Sequence, residues 1–84
     1  MRKNTENITY DSSTIESSSY DFKSQTLYVV FKGDALYRYD GVTEDDYIKF
    51  STSDSVGSEF NKLISKVYPF EKLETFEKLE KING

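Results

Sequence analysis

Apolar and aromatic residues concentrate at strand length between Thr26 and Lys32. Leu27, Val29 and Phe31 fall on one face, and Tyr28, Val30 and Lys32 fall on the other. This is the strongest strand signal in the chain. Lys32-Gly33-Asp34 then supplies turn chemistry at hairpin spacing. Ala35 to Asp40 alternates again, with Tyr37 and Tyr39 on one face and Leu36 and Arg38 on the other. Upstream, Ile15 to Asp21 reads as a short, weakly hydrophobic strand suited to a sheet edge. Asp21 to Gln25 is the turn that follows it. The pattern predicts an antiparallel meander of three strands.

The period changes after Asp40-Gly41-Val42. Thr43 is a good helix N-cap, and Glu44, Asp45 and Asp46 fill the first turn, where the helix dipole favours acids. Tyr47 and Phe50 share one face of this short helix. Ser51 to Gly57 is a Ser-rich loop. A second helix starts near Ser58, with Phe60, Leu63, Ile64 and Val67 at helical spacing. Tyr68-Pro69 stops it, because the residue before proline avoids helical geometry. Phe70-Glu71-Lys72-Leu73-Glu74 then returns as Phe76-Glu77-Lys78-Leu79-Glu80. Six residues turn a helix by about 600°, so the copies do not share a face and no solenoid is implied. The tail reads as a third, amphipathic helix with Leu73, Phe76, Leu79 and Ile82 on a broad stripe. The expected fold is α+β: a three-stranded antiparallel meander followed by two or three helices packed on one sheet face. Residues 1–11 form a flexible lead-in, 12–70 the domain, and 71–84 the C-terminal helix.

Composition narrows the chemistry. At 84 residues this is one small domain with a thin core. Six Phe and seven Tyr offset that, since each ring buries a large area. There is no Cys and no His. Disulfides, zinc knuckles, iron–sulfur ligands, thiol nucleophiles and the commonest general base are absent with them. Ser12, Ser13 and Ser17 to Ser19 have no base to activate them. The chain is therefore expected not to be an enzyme and to need no cofactor or metal. Asp40, Glu44, Asp45 and Asp46 lack the EF-hand alternation, and helix N-terminal charge explains them better. The net charge of −4 does not invite nucleic acid over the whole surface. No apolar run is long enough to span a membrane, and Met1 to Glu6 lead into no apolar stretch. A cytoplasmic location is expected.

Three features carry candidate chemistry. Tyr37-Arg38-Tyr39 places two tyrosines on one strand face, where they either stack on bases or cover the core beneath the helices. Spacing leaves both readings open. Ser55-Val56-Gly57-Ser58 precedes a helix and offers backbone amides to an anion, with Asn61, Lys62 and Lys66 nearby. Lys62 and Lys66 are four apart and share a face; with Arg38 they form the expected basic spot. The stripe of Leu73, Phe76 and Leu79 either docks on the sheet or meets a protein partner.

The ordered residues resemble a known family. Ser12-Ser13-x-Ile15, Tyr20-Asp21, Leu27-x-Val29-x-Phe31, Tyr37-x-Tyr39, Val42, Tyr47, Ser55-x-Gly57, Phe60-Asn61, Ile64 and Tyr68 follow the pattern of the KTSC domain. That module is named for its place at the C-terminus of some lysyl-tRNA synthetases, and it also stands alone in bacterial and phage proteins. The resemblance covers about residues 10–70. Thr43 stands where the family commonly has proline, and Ser17 to Ser19 are less apolar than is usual. The synthetase context implies a non-catalytic module that binds RNA or single strands. On that reading Tyr37 and Tyr39 stack, while Arg38, Lys62 and Lys66 meet phosphates. Two other functions are carried beside it: a phage or mobile-element protein that contacts a host protein, and a pocket for a small nucleotide-like anion at Ser55 to Ser58.

Overall fold

The computed structural model describes residues 5–73. The three expected strands form as β2 (Ile15–Asp21), β3 (Thr26–Phe31) and β4 (Ala35–Tyr39). Gly33 and Asp34 both take positive φ in the tight turn between β3 and β4. Two further strands flank the meander, β1 (Thr5–Thr9) and β5 (Phe70–Leu73). The sheet is five-stranded and antiparallel throughout, in the order β1-β2-β3-β4-β5.

Both flanking strands correct the expected architecture. Residues 5–9 belong to the sheet rather than to a flexible lead-in. Their one apolar side chain, Ile8, sits opposite Ser18. Tyr47 donates its hydroxyl to Glu6 at 2.5 Å and ties β1 to the helical layer. Residues 70–73 extend the sheet rather than open a third helix. The free edge of β4 offers a backbone ladder, with Phe70 opposite Tyr39 and Leu73 opposite Leu36. The remainder of that expected helix, with Phe76 and Leu79, lies outside the described residues.

Two helices follow β4. Helix α1 (Glu44–Ser51) starts as expected: the Thr43 hydroxyl accepts from the Asp46 backbone N–H at 3.2 Å. Helix α2 (Val56–Phe60) begins two residues before the expected start and runs into a π-helical turn, Asn61–Ser65. No described helix is long and apolar enough to cross a membrane.

Register decides what each sheet face buries. Tyr20, Leu27, Val29, Tyr37 and Tyr39 face α1 and α2, where Tyr47, Phe50, Phe60 and Ile64 close the core. An irregularity between Ile15 and Ser17 puts Ile15 on this face as well. Tyr20 and Tyr47 stack with centroids 4.2 Å apart and planes 8° from parallel. The Tyr20 hydroxyl donates to the Val42 carbonyl at 2.5 Å. Ser18 is also buried here, and its hydroxyl meets that of Tyr10 at 2.7 Å. The opposite face carries Tyr28, Val30, Leu36, Arg38 and Leu73.

Buried phenols make the fold sensitive to alkali. Burial pushes the Tyr39 phenol from 10.0 up to about 12, with Tyr37 adding to the shift. Burial also raises Tyr47, and the neighbouring Glu6 carboxylate raises it further. A raised phenol favours the protonated, folded state. Its contribution is complete below the unfolded value of 10.0 and is lost as pH rises toward about 12. The melting temperature is therefore expected to fall steeply between about pH 10 and about pH 12. A thermal melt by circular dichroism at each pH checks this. A flat profile over that interval would contradict the burial of Tyr39 and Tyr47.

Candidate functional site

Tyr37 and Tyr39 both point toward the helical layer, but they differ in what they leave open. Tyr39 is 3% exposed. Its ring meets Phe60 edge-on at 5.2 Å and lies near Tyr37 at 6.3 Å and Phe70 at 5.6 Å. Core cover is thus the role of Tyr39, and the expectation that it stacks on a ligand from an open face is corrected. Tyr37 is half-buried and packs on Phe31 and Phe70. Phe70 is 56% exposed. These rings line a surface hollow of about 450 Å³, bordered on the helix side by Phe60, Asn61 and Ser65. The family motif Tyr37-x-Tyr39 and Asn61 meet in this one place.

The charges fall differently from the expected basic spot. Arg38 projects from the opposite sheet face and cannot join Lys62 and Lys66. Its guanidinium is held by Asp40 at 3.1 Å and by Glu71 at 2.9 Å. Lys62 is exposed on the helical side and lies 3.6 Å from Glu59. Lys66 is exposed and follows Ser65, a residue of the hollow. Lys72 pairs in register with Tyr37 and therefore stands on the same face. It escapes the sequence reading because its position depends on β5, whereas residues 70–73 read as helix.

The Ser55–Ser58 segment is not part of the hollow. Ser55 precedes α2 but makes no side-chain cap bond, and α2 is five residues long. Gly57 faces Thr14, and a Cβ built there would lie 3.6 Å from that side chain. The segment therefore packs toward the start of β2, away from the aromatic rings. The acids near Asp40 have structural partners: Asp45 pairs with Lys49 at 3.2 Å, and Asp46 accepts from the Tyr68 hydroxyl at 2.5 Å. Among the described residues no cluster of His, Cys, Asp and Glu is placed to hold a metal ion.

A larger groove, about 720 Å³, lies on the opposite face. Tyr28, Val30, Leu36 and Leu73 form its apolar part, and Ser17 and Ser19 add hydroxyls. Arg38 borders it with its charge already matched. Of the residues expected to meet a protein partner, Leu73 lies here. The smaller hollow is the better candidate for a charged, planar ligand. It combines exposed ring surface with the polar side chains of Asn61 and Ser65. Two lysines outside its lining, Lys66 next to Ser65 in the chain and Lys72 across from Tyr37, have no ion pair among the described residues.

Comparison with known proteins places this geometry in context. The family model for the KTSC domain matches residues 11–68. An uncharacterized protein of Stutzerimonas stutzeri (strain A1501) is 36% identical over 56 residues, which are 67% of this chain and 79% of that protein. The crystal structure of a KTSC domain protein from Yersinia pestis superposes with a TM-score of 0.78 at 27% identity. That match covers 83% of this chain and 99% of the other.

Proposed function

This chain belongs to the KTSC domain family, and from that premise we propose that it is a non-catalytic module that binds single-stranded nucleic acid, RNA foremost, at the aromatic hollow. The observation that carries the proposal is the exposed edge of the Tyr37–Phe70 pair, set over buried Tyr39 and flanked by Asn61 and Lys72. A base laid on an aromatic ring gains about 1–3 kcal/mol and needs no particular sequence. Lys66 and Lys72 supply cations for the phosphates on either side. The acids at the start of α1 would repel a phosphate backbone, so the strand keeps to the β4–β5 side of the molecule. With a net charge of −4, attraction is local to the hollow.

Salt dependence tests this directly. Fluorescence anisotropy of a labelled eight-nucleotide RNA of mixed sequence is measured from low to moderate salt. Two lysine–phosphate contacts give a slope of log Kobs on log salt of about −1.4 for a single strand. Binding that ignores salt, or that a mononucleotide abolishes at equal concentration, would contradict a strand held by its backbone. The second reading is a protein-interaction module that uses the opposite groove. The apolar set Val30, Leu36 and Leu73 favours it, and its binding would be insensitive to salt.

A further inference from the structure

The helix that borders the hollow changes pitch where it meets the rings. Val56–Phe60 is α-helical, and Asn61–Ser65 continues as a π-helical turn. Such turns are rare and occur frequently at functional sites. Here the turn brings both Asn61 and Ser65 to the wall of the hollow. The Asn61 backbone N–H is satisfied within the helix, by the carbonyls of Gly57 and Ser58. Its side chain is exposed and makes no hydrogen bond with the described residues. Among the described residues nothing competes for the carboxamide with a ligand resting on Tyr37 and Phe70.

We infer that Asn61 selects the base, and that the hollow takes adenine in preference to the other bases. This rests on reading the hollow as a base-binding site. A carboxamide presents one acceptor beside one donor. Adenine matches that pair with its N6 amino group and N7, the pairing for which Asn is best suited. It offers an equivalent acceptor beside the same amino group on its other edge, so either orientation on the rings is usable. Guanine presents two acceptors at N7 and O6, which Arg matches best, and it meets a carboxamide only through its N1–H and O6 edge, so it has one usable orientation where adenine has two. Arg38 is on the far face, held by Asp40 and Glu71. Cytosine and uracil have one ring and so less surface to stack. The Ser65 hydroxyl adds a second polar group beside Asn61.

The test uses the whole protein and four uridine-rich RNA octamers that differ at one central position, A, C, G or U. Anisotropy at one fixed salt concentration should rank the A octamer first, tighter than the U octamer by about 5- to 150-fold. Asn61→Ala should bring the A octamer to the level of the G octamer, leaving the purine-over-pyrimidine difference that stacking supplies, and should leave the salt slope unchanged. Asn61→Asp keeps the size and the acceptor but removes the donor, and it should lose the same preference. Circular dichroism melts confirm that both variants are folded, as expected for an exposed position. Equal affinity for all four octamers would overturn the inference, and so would a preference for A over G that survives Asn61→Ala. If no octamer binds, the base-binding reading itself falls and takes this inference with it.

Discussion

Tyr20→Ala is expected to lower stability by about 3–5 kcal/mol, the range for emptying a large aromatic site in a packed core. Tyr20 has no exposed surface, stacks on Tyr47 and meets Phe22 edge-on at 4.9 Å. Its hydroxyl also satisfies the Val42 carbonyl just before α1. The side chain thus links β2, the β4–α1 connection and α1 at once. A small domain has a total stability of about 5–15 kcal/mol, so the variant stands near the edge of folding. Urea denaturation measures the effect. Tyr20→Phe keeps the ring and should cost about 1–2 kcal/mol, the penalty for leaving one buried acceptor unmatched. If Tyr20→Ala cost under about 1 kcal/mol, Tyr20 could not be the centre of this core.

Phe70→Ala is expected to separate binding from folding. The ring is more than half exposed, at 56%, so its loss should change stability by about 0.5 kcal/mol or little more. Affinity for single-stranded RNA should fall by about 5- to 150-fold, the equivalent of one stacked base. Tyr39→Ala serves as the contrast. Tyr39 is buried against Phe60, so its loss should unfold the protein rather than isolate the site. Full RNA affinity in folded Phe70→Ala would remove the hollow from consideration.

Strands that bury side chains on both faces are legible from the sequence. Thr26–Phe31 and Ala35–Tyr39 alternate clearly, because Leu27, Val29 and Tyr39 meet the helices while Val30 and Leu36 are buried on the far side. Strand β1 is not legible. Thr5–Thr9 contains one apolar residue, and its place depends on β2 and on the distant hydroxyl of Tyr47. Strand β5 is obscured because Phe70 and Leu73, three apart, fit a helical stripe as well as a strand. The open edge of β4 decides between them, and no local pattern records that edge.

The site inherits this gap. Tyr37 and Asn61 stand out in the sequence through the family pattern, and the fold brings them to one hollow. Phe70 enters the hollow, and Lys72 comes to stand across from Tyr37, only once β5 joins the sheet. Arg38 looks free in the sequence, but β5 brings Glu71 across from it and commits its charge. Alternation places Arg38 opposite the tyrosines in either case. The basic spot that combined Arg38 with Lys62 and Lys66 therefore could not form on one surface.

The central claim is where the nucleic acid sits, and an amide chemical-shift titration tests it most directly. Isotope-labelled protein is titrated with a short single-stranded RNA at low and at moderate salt. The expected result is salt-sensitive shifts at Tyr37, Asn61, Ser65, Phe70 and Lys72, with Asn7, Ser17, Tyr28 and Leu36 unmoved. Shifts confined to Ser17, Tyr28, Leu36 and Leu73 in the opposite groove, or no shifts at low salt, would contradict it.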